Sequence, residues 1–209
     1  MLFGDVVDSR RDSARATAWL RTLTGELETA YPPAERVAEF EFTQGDELQG
    51  LLVPAADPLL AVIRAWLHPD HLAMRWIVAA GSVDPGRGPA TQRTGEAFLR
   101  ARARADARVG RRDRLLMSSG DPSTDAVLDD LAPLLAELLA DLTVRQRTIA
   151  RLILVDGLRR AEVAERLNVS RATISVAADR AHLRSIERLA ARLAVLFAAG
   201  SGAAESRVA

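Results

Sequence analysis

Two short acidic motifs carry the residue types that chemistry on a phosphate needs. Residues 3–10 read Phe3-Gly4-Asp5-Val6-Val7-Asp8-Ser9-Arg10, and residues 43–50 read Thr43-Gln44-Gly45-Asp46-Glu47-Leu48-Gln49-Gly50. Each sets an Asp at the edge of an apolar, strand-like run. Mg²⁺ takes one or two carboxylates and completes its shell with phosphate oxygens and water. Two such ions can activate a hydroxyl and hold a triphosphate. Asp5 and Asp46 are therefore candidate metal ligands. Gly45 lets a phosphate approach the backbone closely, and Glu47 stands two residues on. Arg100, Arg102 and Arg104, further along the chain, are candidate phosphate partners. The simpler readings are a Gly-Asp hairpin turn, a strand end capped by Asp, and a solvated helix face.

A second constellation points to duplex DNA. Residues 161–175 read Ala161-Glu162-Val163-Ala164-Glu165-Arg166-Leu167-Asn168-Val169-Ser170-Arg171-Ala172-Thr173-Ile174-Ser175. Val163, Ala164 and Leu167 form an inward stripe on a short helix, and Asn168-Val169 turns the chain. Ser170 is placed to cap the next helix through its hydroxyl. Small Ala164 lets the two helices cross closely, as a helix-turn-helix requires. A helix starting at Ser170 would enter a major groove by its N-terminus. Arg171, Ala172, Ser175 and Asp179 would then face base edges, where Arg is the usual reader of guanine. Arg145, Arg147, Arg180 and Arg184, with Arg159 and Arg160, would hold phosphates and set register. The competing reading is a helix-turn-helix that contacts only protein.

The elements that must position these residues follow from periodicity. Residues 2–7 read as a short buried strand and 13–30 as a helix through Ala16, Leu20, Leu23 and Leu27. Residues 37–43 and 48–53 form a hairpin with Asp46 at its tip. A helix at 57–67 takes Asp57 as cap and Pro58 at its first position. A strand at 73–80, a Gly- and Pro-rich loop at 82–94, a helix at 95–108 and an edge strand at 114–117 follow. An apolar helix covers 124–140, with Pro133 set to kink or split it. The order predicts an α+β domain over residues 1–120, of the ferredoxin-like kind with helices on one face. Residues 121–140 connect it to an all-α helix-turn-helix domain at 141–198, and 199–209 read as a disordered tail.

Over nearly its whole length the chain resembles the SatD family. The resemblance rests on residues 4–10, residues 44–50 and the run Gly95-Glu96-Ala97-Phe98-Leu99-Arg100-Ala101-Arg102. More distantly, the front is similar to the class III nucleotidyl cyclase fold, which implies that Asp5 and Asp46 hold Mg²⁺ with a nucleotide. Cyclases acting on ATP carry a base-selecting Lys four residues before the second Asp, where Phe42 stands here. Their transition-state Asn and Arg fall on Leu99 and Ala103. The resemblance therefore implies a nucleotide site without the donors that turnover needs. The tail resembles a sigma-region-4 or winged helix-turn-helix.

Composition narrows the rest. The 209 residues contain no Cys, which excludes disulfides and thiolate chemistry. All 28 basic residues are Arg, which excludes lysine-based catalysis. His68, His71 and His182 are scattered, so no hydrolytic triad or His-metal set is expected. Residues 1–140 hold 16 Arg against 21 Asp and Glu, while 141–193 hold 11 against 6. An acidic front and a basic back fit a chain whose back alone touches phosphates. No basic signal region or membrane-length apolar run is visible, so a cytoplasmic protein is expected. Apolar stripes at 124–140 and 184–198 would bury in a dimer or against the neighbouring domain, and a homodimer is expected, the form in which single helix-turn-helix units gain affinity on a palindrome. The leading expectation is a DNA-binding transcriptional regulator with a nucleotide-binding head. The alternatives are an active nucleotidyl cyclase or transferase localised by its tail, and a head that binds nothing and serves as a dimer scaffold.

Overall fold

β1 (Leu2–Val6) alternates buried and half-buried positions, the pattern of a strand with two unlike faces. In the computed structural model, which describes residues 1–43, 46–106 and 114–208 with side chains through residue 204, β1 is the middle strand of a five-stranded mixed sheet. The strand order is β2-β3-β1-β4-β5, with β2 (Arg36–Phe42), β3 (Glu47–Leu52), β4 (Met74–Ala79) and β5 (Leu115–Ser118). β1 pairs antiparallel with both β3 and β4, and β5 joins β4 in parallel.

One face of the sheet is the main core. α1 (Ser13–Ala30) starts where the Asp12 side chain accepts a bond from the Arg15 amide (3.0 Å), and it ends ahead of Pro32-Pro33. α1, α2 (Leu59–Trp66) and α4 (Pro122–Ala140) bury their stripes against Leu2, Val6, Leu48, Met74, Trp76, Val78, Leu115 and Met117. Gly50 is required on β3 because a Cβ there would sit 2.3 Å from the Phe40 ring. α3 (Glu96–Asp106) lies on the opposite face, where Ala101 and Ala105 meet Phe3, Ile77, Ala79 and Leu116. This departs from the expectation of helices on one face. Parallel β4 and β5 need a crossover, and α3 makes it on the side that α1 and α2 leave open. Residues 107 and 108 of the expected helix lie outside the described residues.

The C-terminal half is helical: α5 (Val144–Leu154), α6 (Arg160–Arg166), α7 (Arg171–Arg180) and α8 (Leu183–Val208). Pro133 neither splits nor ends α4. α8 packs along α4 and continues through Val208, so no disordered tail begins at 199. The physical reason combines helix propensity with a contact distant in the chain. Ala199, Ala203 and Ala204 favour helix, and Gly200 sits so close that a Cβ would meet Ser119 Oγ at 2.4 Å. The buried residues of α4 through α8, from Leu128 to Leu193, are continuous with those under the sheet. No helix among the described residues is long and apolar enough to cross a membrane.

Candidate functional site

The half-buried face of β1 opens into a cleft of about 630 Å³ between the sheet and α3. Strand alternation aims Phe3 and Asp5 into it, together with Gln49 and Glu47 from β3 and Arg75 and Ile77 from β4. Asp5 stands directly opposite Glu47 on one side and Arg75 on the other. Like charges in direct cross-strand register repel, and the Arg75 guanidinium, 3.6 Å from Asp5 Oδ2, offsets part of this. Asp46 reaches the same cleft from the end of the hairpin. Its carbonyl accepts from the Val6 amide at 3.0 Å, and its carboxylate accepts from the Ser9 hydroxyl. The two carboxylates expected to share a ligand thus both line this cleft, Asp5 from β1 and Asp46 from the residue just ahead of β3.

The remaining expected residues divide. Glu47 and Arg102 line the cleft. Gly45 lies outside the described residues. Arg100 does not line it: its guanidinium donates to the carbonyls of Ala80 (3.2 Å) and Ser119 (3.3 Å) and pairs with Glu96. The ends of β4 and β5 leave those carbonyls needing donors, and Arg100 meets that need instead of a phosphate's. Arg104 is likewise committed, to Asp125 and Asp129 on α4. Arg10, Arg75 and Arg93 line the cleft and were missed, as were the apolar walls Phe3 and Phe98. Arg75 carried a signal, being a charge between apolar residues in a strand. Among the described residues no group of three His, Cys, Asp or Glu forms a ready metal cage.

The second candidate surface is built on α5, α6 and α7. Thr143 and Gln146 cap α5 reciprocally, and Ser170 Oγ accepts from the Thr173 amide at 3.1 Å to start α7. Asn168, in the left-handed region at φ 51°, makes the turn between α6 and α7. Ile174 and Ala178 bury one side of α7, leaving Arg171, Ala172, Asp179 and Arg180 exposed and Ser175 half-buried. Arg145 and Arg184 are exposed at the neighbouring helix starts, and Ser170 is exposed too. Asp179 pairs with Arg160 at 3.5 Å. Arg147 departs from the expected role. It turns inward, donating to the Leu142 carbonyl (3.3 Å), and burial lowers its pKa.

A polar joint links the two regions. Glu26 on α1 accepts from Arg64 on α2 (3.1 Å) and from Arg151 on α5 (2.7 Å). His68 Nδ1 accepts from Trp19 Nε1 and from the Asp70 amide, both at 3.1 Å. With Nδ1 accepting, the neutral ring carries its proton on Nε2, which faces Glu26 at 3.9 Å. Burial pushes the His68 pKa down, although Glu26 works against it. Burial, then nearby Arg147, pushes His71 down to about 4.

No family model matches the chain, and neither a curated protein nor a solved structure matches it.

Proposed function

We propose that the chain is a DNA-binding transcriptional regulator whose sheet cleft takes a nucleotide with Mg²⁺. The observation that carries the DNA reading is the Ser170-capped α7. It turns a solvent-facing side outward between exposed Arg145, Arg171, Arg180 and Arg184. In this reading α6 and α7 form a helix-turn-helix, with Ser170, Arg171, Ala172, Ser175 and Asp179 toward the groove. The antiparallel order β4-β1-β3-β2 supports the ferredoxin-like and cyclase-like reading of the front, with β5 as an addition. The SatD resemblance belongs to the same proposal, as do a cytoplasmic location and a homodimer on a palindromic site. Asp5 and Asp46 would share the cation, while Arg10, Arg75, Arg93 and Arg102 would meet the phosphates. Leu99 and Ala103, standing where cyclases carry their transition-state donors, favour binding over turnover.

Fluorescence anisotropy of a labelled duplex pool with the full-length protein tests the DNA reading. Binding should weaken linearly in log–log form with salt, at a slope of about −0.9 per phosphate contact. Arg180→Ala should flatten that slope by about 1. Absence of saturable binding at low salt would remove the proposal. The cleft is tested by thermal shift with nucleoside triphosphates and Mg²⁺. A ligand at 100 times its Kd should raise Tm by about 5–10 °C. That rise should vanish in the Asp5→Ala, Asp46→Ala double variant.

A further inference from the structure

The arginines of α7 are not the residues that point furthest out. A helix turns about 100° per residue. The buried Ile174 and Ala178, with Ala181 just beyond, fix the direction of the core. Ala172 and Val176, one turn apart, fall opposite that direction. Arg171 and Ser175 lie on the shoulder nearer the core. Val176 is 49% exposed in the middle of the helix, and it lines an open groove with Ala172, Arg145 and Arg180. Val176, a β-branched apolar side chain, stands outside the buried core. Its helix propensity is also below that of Ala. Basic residues flank it on both sides of the groove.

We infer that α7 reads thymine methyl groups through an Ala172–Val176 stripe, with Arg145 and Arg180 holding the flanking phosphates. This rests on the DNA-binding reading and deepens it by naming what the helix recognises. When α7 lies in a major groove, the residues opposite its core-facing side meet the groove floor. The floor presents one apolar group, the thymine C5 methyl, and apolar side chains contact it. A Val and an Ala at that place have no hydrogen-bonding group to offer a guanine or an adenine. Arg145 and Arg180 therefore position the helix, and the apolar stripe selects A·T pairs.

The test uses full-length protein and a duplex selected from a randomised pool. Each thymine of the selected site is replaced singly by deoxyuridine, which removes one methyl and keeps base pairing. The inference expects affinity to fall about fourfold at one or two positions, the loss of one buried methyl. Val176→Ala should lose most of the thymine-over-deoxyuridine difference at the position Val176 contacts, while its circular dichroism and Tm match the parent. Val176→Thr, which keeps the branched shape, should retain part of the discrimination. Duplex binding with no thymine preference would overturn the inference and leave the DNA-binding reading standing. So would a preference that Val176→Ala preserves in full, since the methyl would then be read by another residue. Failure to bind any duplex would overturn both.

Discussion

Glu26 carries more of the architecture than its unremarkable place in α1 announces. It is the shared acceptor for Arg64 and Arg151, whose side chains are 20% and 19% exposed. Removing it leaves two cations side bý side with most of their water gone, and breaking a buried pair costs more than never having built it. Glu26→Ala should lower unfolding free energy by about 2–3 kcal/mol, read by urea denaturation. A loss below about 0.5 kcal/mol, the scale of exposed pairs, would contradict this. The histidines beside it give a pH signature. Both folded pKa values lie below the unfolded value of 6.5, His71 at about 4. Between those limits the unfolded chain binds more protons, so stability rises with pH there and falls on acidification. Stability is fully present above about pH 6.5 and is lost as the pH falls through the folded pKa values. For His71 the swing is on the order of 3 kcal/mol. His71→Phe should flatten the pH 4.5–6.5 limb of the stability curve, and an unchanged slope would assign it elsewhere.

At the scale of elements, most of the order was legible because each segment buries one stripe of its own. The β2–β3 hairpin, α1, α2 and the Ser170 cap of α7 follow from period, proline and hydroxyl signals that act within a few residues. The placement of α3 was not legible, since Ala97 and Ala101 would pack against either face of a sheet. Neither was the extent of α8, whose last turns are held by a close approach at Ser119, distant in the chain. The candidate cleft divides the same way. Asp5 and Asp46 stand out as acidic residues beside apolar runs, whereas the work of Arg100 depends on strand ends that only the fold brings to it. Gly50 marks a tight contact between elements. Gly50→Ala would drive a methyl into the Phe40 ring, overpacking the β2–β3 pair. It should cost about 1–3 kcal/mol in denaturant titration, and a neutral result would mean that the ring moves freely.

Over the whole molecule, the sheet and the C-terminal helices are built on one continuous core. α4 packs on β5 and along α8, and Arg151 of α5 reaches back to Glu26 of α1. The sheet that carries the acidic cleft thus shares its packing with the helices that carry α7. A ligand that tightens the cleft therefore acts on a body that includes the proposed DNA face, and coupling between sites needs only a difference in affinity between two states. The central claim is that the cleft and α7 are two sites of one regulator. Its most direct test is the Kd of the full-length protein for its selected duplex, with and without nucleoside triphosphate and Mg²⁺. The account predicts a change of about fivefold or more that disappears in the Asp5→Ala, Asp46→Ala double variant. A Kd indifferent to the nucleotide, or a change that survives in the double variant, would contradict it.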